Sequence, residues 1–523
     1  MQKTHIGKFA AHYRLLHSAP AARQKLDQVM KLVLNEMLER ALDKAGLPEE
    51  GEICLNKIRA PIRLCLARAD ASLAEEWGRE LTEEILRAMR DRRAVFYHSR
   101  RQALIDLVVS VGRGDLSRAW AWRQLGLWRA SNAAGESEAI SELVRALLSN
   151  PVAVIPALIE LAEADCLERI ARRFTTRHWT ALATAVLNEA GATGRLKEAA
   201  DKPSPRALRD AMRVINGSGL LPAITSSLQS PVGESLEACR AAAALVALEA
   251  EPARLRSESA GAMVGLIAGA IRSAVTGLSP SLSGMRAADH GANGANGANG
   301  ADRKAVNETP RKGAPDAAPE ETFTPGSTAI GADSRQNAKE SEERSEAAGR
   351  RRRAVTRFGG LLFLLGLVEE LKLVDEILAH PSLGARPFCW VMRWLALALA
   401  PVEENDPAAL AFAGLPPDTE SPLNQEPPVQ TEVSAINSMA ARIVERLGAL
   451  IYQKDQWGDV WRDDRAALIE FVCRRSAEIV ADPGWIDIRF SLDEVATEIR
   501  RAGLDLNPGY VPWMGVVVRF VYE

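Results

Sequence analysis

The chain has 523 residues, 47% of them hydrophobic, and a formal net charge of -3. Such a length and apolar content accommodate roughly two to four domains with buried cores. The near-balanced charge excludes a global attraction to nucleic acid or to anionic membrane. Cys54, Cys65, Cys166, Cys239, Cys389 and Cys473 lie far apart with no C-x-x-C, which fits reduced thiols better than a disulfide framework or a zinc site. No signal-peptide apolar region follows Met1, and the longest apolar runs, 260–271 and 358–368, fall short of the roughly 20 residues that span a bilayer. The expectation is a soluble, cytoplasmic protein without membrane contact.

In chain order, residues 1–92 read as an N-terminal α/β unit. Leu26, Val29, Met30, Val33, Met37 and Leu38 recur at helical steps, the stripe of an amphipathic helix that Gly46-Leu47-Pro48 ends. Ile53 and Leu55, then Ile62, Leu64 and Leu66 after Pro61, alternate with other residues and predict two short strands. A second helix is expected over 71–90. Residues 93–277 then predict one helix after another, broken at Gly112-Arg113-Gly114-Asp115, Asn150-Pro151, Lys202-Pro203 and Gly217-Ser218-Gly219. This is a helical bundle or irregular α-solenoid, with no consensus repeat.

Residues 278–356 predict a disordered low-complexity linker. Gly291-Ala292-Asn293 opens a threefold tandem repeat, and the segment reaches the run Arg350, Arg351, Arg352 and Arg353. Few large apolar residues occur in it, so burial cannot offset the entropy of ordering it. A C-terminal helical module is expected over 357–480, with all-round apolar helices at 358–377 and 387–399, a Pro-rich loop at 415–428, and helices at 431–452 and 462–480. A β-α-β closing unit is expected over 481–523. Its first strand carries Ile486, Ile488 and Phe490, its helix opens at a capping box from Ser491 to Glu494, and its second strand carries Val516, Val518, Phe520 and Tyr522. The fold class is therefore mainly α, with small α/β elements near both ends.

The candidate contact residues follow from composition. Trp120, Trp122 and Trp128 lie among Arg118, Arg123 and Arg129. They are either core rings rimmed by arginines, a surface for a protein partner, or stacking platforms for bases. Arg350 to Arg353 are either a solvated flank or an electrostatic handle for an acidic surface. Tyr510 and Trp513 either fill the closing unit or anchor a partner. His5, His12 and His17 do not share one helix face, so no metal site is expected. Arg113-Gly114-Asp115 reads as an ordinary helix break. Asp463, Asp464, Glu494 and Asp505 are the carboxylates available for acid–base work. Without G-x-x-x-x-G-K-[ST], G-x-S-x-G or H-E-x-x-H, phosphate binding, serine hydrolysis and zinc proteolysis lose their usual support. The expectation is no enzyme, no catalytic residue and no cofactor.

Two regions carry a resemblance. The opening, His5-Ile6, a helix over 21–45 and the apolar segment 53–66, resembles the start of the tape-measure family of extracellular contractile injection systems, the phage-tail-like particles of bacteria. The run Gly359-Gly360-Leu361-Leu362-Phe363-Leu364-Leu365, with Ala502-Gly503-Leu504-Asp505-Leu506-Asn507-Pro508-Gly509-Tyr510-Val511-Pro512-Trp513, is similar to the C-terminal signature of large proteins from the same gene clusters. The resemblance implies a non-enzymatic ruler or assembly organiser whose partners are tube, baseplate or spike subunits, with no nucleic acid, and which is made in the cytoplasm and then incorporated into a particle. A continuous helix of this length would span about 780 Å. The 27 prolines and 37 glycines preclude an unbroken rod. The alternative is a soluble helical adaptor or scaffold outside any particle.

Overall fold

Leu26, Val29, Val33, Leu38 and Leu42 put one buried stripe along α1 (Pro20–Leu32), a π turn (Val33–Met37) and α2 (Leu38–Lys44). That stripe packs on Leu73, Ala74 and Trp77 of α3 (Asp70–Arg90), a small core of its own. The computed structural model describes residues 6, 9–15, 20–47, 51–91, 93–131, 135–193, 203–228, 232–276, 352–419, 426–452 and 464–523. The expected linker, 278–356, lies outside them except for its last five residues.

β1 (Glu52–Leu55) forms as the alternation predicts, but its partner is β2 (Ala94–Tyr97), antiparallel with Glu52 opposite Tyr97. Residues 62–66 are not a strand. Pro61 lacks a backbone donor, and Lys25 Nζ holds the backbone beyond it, donating to Leu66 O at 3.0 Å and Arg68 O at 2.7 Å. Ile62, Leu64 and Leu66 then cover the small core from an irregular segment. Because β2 lies beyond residue 92 and Cys54 joins the next core, the first unit and the helical region are continuous.

The helices that follow are α4 (Arg100–Arg113), α5 (Ala119–Gln124), α6 (Glu136–Leu148), α7 (Val154–Glu163), α8 (Leu167–Ala171), α9 (Thr176–Glu189), α10 (Pro205–Gly217), α11 (Leu220–Ser227), α12 (Leu236–Ala250) and α13 (Ala260–Thr276). Their ends follow the sequence signals. Ser99 caps α4 by accepting from Gln102 N, and Gly114 closes it at φ +77°. Residues 241–248 of α12 are buried without interruption. A helix apolar on every side must be surrounded, and α12 packs against α9 and α13 at the centre of the first large core.

The second part contains β3 (Arg352–Thr356), α14 (Leu365–Glu370), α15 (Leu373–Ala379), α16 (Phe388–Leu399), α17 (Pro407–Phe412), α18 (Gln430–Tyr452), α19 (Arg465–Cys473), β4 (Ala477–Asp482), β5 (Trp485–Phe490), α20 (Thr497–Ala502), β6 (Gly509–Val511) and β7 (Val516–Tyr522). The expected helix over 358–377 is instead a 3-10 turn (Gly359–Leu364), then α14 and α15 separated by Lys372 at φ +55°. The expected helix over 462–480 stops at Cys473, and 477–482 is a strand. The expected capping box is a 3-10 turn (Leu492–Glu494), with α20 starting only at Thr497. The β-α-β closure is present: β5 and β7 are parallel and joined through α20. It sits within a five-stranded sheet of order β3-β4-β5-β7-β6, otherwise antiparallel.

Separate modules joined only by a tether are not what forms. Residues up to 276 and from 352 onward make one compact unit, with a mainly α fold and small sheets. Each part keeps its own large apolar core, and the two meet along a seam.

Candidate functional site

The three tryptophans sit on and after α5, which packs against α4. Trp122 and Trp128 are buried in the first core with ring centroids 5.8 Å apart, and Trp120 is half-buried against it. Asp106, in the middle of α4, explains the polar side of this cluster. Its carboxylate accepts from Trp122 Nε1 at 2.9 Å, Tyr97 Oη at 2.7 Å and Arg118 Nη1 at 2.8 Å. Burial, then the charge and hydrogen bond of Asp106, push the Tyr97 phenol up from its ordinary range. A stacking or partner-binding role for Trp122 and Trp128 is therefore corrected: neither ring has a face to offer.

Trp513 is likewise a core residue, edge-on to Phe388 at 5.7 Å. Tyr510 is half-buried and packs on the first core from the second part of the chain. Burial, then the charge of Glu189, push its phenol up to about 12. Arg350 and Arg351 lie outside the described residues. Arg352 and Arg353 are exposed on edge strand β3, where Arg353 pairs with Glu478 at 3.3 Å and Arg352 lies 3.5 Å from Asp418. Cationic side chains on an open edge discourage strand addition, so both arginines have a local structural use.

The carboxylates considered for acid–base work are employed separately. Asp464 caps α19 by accepting from Ala467 N at 2.9 Å. Glu494 accepts from Ser476 N at 3.1 Å. Asp505 pairs with Arg500 at 3.1 Å and accepts from Tyr522 Oη at 3.3 Å. Asp463, His5 and His17 lie outside the described residues. Among the described residues, no group of three or more His, Cys, Asp and Glu side chains could hold a metal ion. A groove of about 200 Å³ between α9, α12 and α13 is walled largely by small residues, with Glu237 and Arg240.

Ionisable groups do converge at the seam between the two parts, at residues the composition did not single out. Asp210 stands on the buried face of α10 with Ala207, Ala211 and Val214. It lies 3.3 Å from Arg254 Nη1, and Arg254 is only 1% exposed. Arg254 donates across the seam to Gly384 O at 2.6 Å and Arg386 O at 2.5 Å. Arg206 and Arg213 of α10 donate to Leu378 O and Ala385 O. Glu251 accepts from Phe388 N at 3.4 Å and lies 3.6 Å from Arg254 Nε. Burial holds the Glu251 carboxyl above its ordinary range against the pull of Arg254 and Arg213. At the sheet, Arg101 of α4 stacks 4.3 Å from the Trp485 ring centroid and lies 3.5 Å from Asp487. Asp487 also takes two bonds of 2.8 Å from Arg519. The local clue to this seam was an aspartate at an apolar-face position of α10; the arginine bonds that cross the seam span more than a hundred residues.

Arginines outnumber carboxylates here, and the surplus is aimed at backbone carbonyls across the seam, so the arrangement orients and holds the two parts. Among the described residues no single helix is long and apolar enough to cross a membrane. No protein-family profile, curated protein or solved structure matches the chain.

Proposed function

We propose that this chain is a non-enzymatic structural or assembly component of a contractile injection particle, tape-measure-like in ancestry and acting through contacts with tube, baseplate or spike subunits. One observation carries the reading. The two signature-like segments, 359–365 and 502–513, are far apart in sequence yet build the same core. Phe363 packs at 5.2 Å on Phe490 and 4.9 Å on Phe520, and Trp513 closes that core over Phe388. The glycines serve the same packing. A methyl at Gly360 would fall 2.0 Å from Val472 O, and Gly503 and Gly509 adopt φ of +73° and +71°. Residues that carry a resemblance and are spent on architecture suit a protein whose function is its shape.

The compact closure of both parts favours an organiser over a fully extended ruler. It also supports the second reading, a soluble helical adaptor that never enters a particle. The deciding experiment shortens the region 93–277 in a strain that makes particles, then measures tube length by electron microscopy and tests for copurification. Shortened tubes support the ruler. Unchanged length with copurification leaves the organiser. Failure to copurify, with normal particles in a deletion strain, rejects any particle role.

A further inference from the structure

We propose that residues 352–523 are held on residues 20–276 by a self-sufficient non-covalent interface, an arginine clasp, so that the chain can be severed within 277–350 and remain one assembly. The inference is independent of any particle role.

Complementary polarity carries the argument. α15 ends at Ala379 and a 3-10 turn (Leu383–Ala385) follows. The last carbonyls of such elements have no intrahelical donor and form the negative end of the helix dipole. Leu378, Gly384, Ala385 and Arg386 present those oxygens, and Arg206, Arg213 and Arg254 of the first part donate to all four. The opposite polarity is met nearby. The amide of Phe388, first residue of α16, donates to Glu251, an anion at the positive end of a helix. Asp210 and Glu251 flank the buried Arg254 from within the first part.

Two outlying contacts fix the same arrangement. Arg256 grips Glu369 through two bonds of 2.8 and 2.9 Å, the geometry that makes guanidinium–carboxylate pairs directional. Arg101 lies against Trp485 and Asp487 at the sheet. Between them, Ala253 enters the second core, while Trp485 and Tyr510 rest on the first. Among the described residues, every contact named as crossing this seam joins 20–276 to 352–523. The occupant of the surface on residues 20–276 is accordingly the chain's own 352–523, each part bringing its own apolar core.

The test keeps the full chain. A recognition sequence for a site-specific protease is inserted between Gly300 and Ala301, the protein is folded intact, cleaved, and run on gel filtration with native mass measurement at micromolar concentration. The expected result is one species with the mass of the uncut chain. Two separated fragments in moderate salt without denaturant would overturn the proposal, and a species of twice that mass would overturn the same-chain pairing. The cut Arg254→Ala protein, shown folded by circular dichroism before cleavage, should dissociate about a hundredfold more readily. The milder Arg256→Ala, at the exposed rim, should change dissociation by less than about tenfold. If Arg254→Ala leaves dissociation unchanged, the clasp is not what holds the parts.

Discussion

Replacing Asp106 by alanine removes the acceptor of three donors at once. Arg118 is about 42% exposed along its side chain and can rehydrate, so little of the cost falls there. Tyr97 and Trp122, 2% and 0% exposed, cannot. Each buried donor left unpaired costs about 1–3 kcal/mol, and bonds to a carboxylate lie at the upper end of such ranges. The expected loss is therefore about 3–5 kcal/mol, read as a lowered urea midpoint at unchanged slope. Asp106→Asn keeps one oxygen but turns an amide toward a donor, and should lose about half as much. Tyr97→Phe combined with Asp106→Ala should be less than additive, because both remove the same bond. An alanine variant within about 1 kcal/mol of the parent, with the parent's slope, would refute the claim that this carboxylate organises the tryptophan cluster.

Gly360→Ala would drive a methyl into Val472 O and should cost about 3 kcal/mol or more in thermal or urea unfolding. Gly366→Ala on α14 meets open space and should be neutral or stabilising by up to about 1 kcal/mol; equal effects at the two sites would dispose of the packing argument. The Glu160 carboxyl is pushed up to about 7 by burial and then by Glu163. Its folded pKa lies above the ordinary value, so the stability it supports below about pH 4.5 is lost as pH rises through 7. Glu160→Gln should accordingly stabilise by about 1–2 kcal/mol at about pH 8, after allowance for partial hydration, and do nothing at about pH 4; a pH-independent effect contradicts this. For Asp487, burial is outweighed by Arg519 and Arg101, which hold its carboxyl below the ordinary range. Its contribution is present above about pH 4 and disappears as pH falls through the folded pKa. Asp487→Asn should flatten the acid limb of the stability curve, and a limb as steep as the parent's argues against the pairing.

Local periodicity made several elements legible. The stripe from Leu26 to Leu38 and the alternation at Ile486, Ile488 and Phe490 each bury the face they imply. β4 was missed because Ile479, Val480 and Ala481 are all buried, leaving no alternation to distinguish a covered strand from the tail of a helix. β3 was missed because consecutive arginines read as solvated, whereas an edge strand tolerates them on its open side. Around Phe358, apolar content was read as a regular helix, but the backbone at Gly359 and Gly360 runs too close to Ala477 and Val472. The 3-10 turn there answers to tertiary packing that no local pattern encodes. Burial of the tryptophans was foreseeable from composition; Asp106 as their shared acceptor was not, since the Trp122 bond spans sixteen residues.

The seam was illegible for a deeper reason, and that reason bears on what it does. An apolar interface advertises itself as surplus hydrophobic surface. Here the principal donors are arginines and the acceptors are main-chain carbonyls, which have no sequence identity at all. Removing these charges from water is costly, and apolar residues of similar volume often stabilise a buried site as well or better. What carbonyls and guanidinium groups add is direction, because the bonds fail when the angle is wrong. Arg254 satisfies Gly384 O and Arg386 O together only in one placement of the turn between α15 and α16. Two apolar faces of equal area could slide by a helical turn and lose little. Registration, more than added affinity, is what such bonds contribute, and the aspartate on the buried face of α10 belongs to the seam that supplies it.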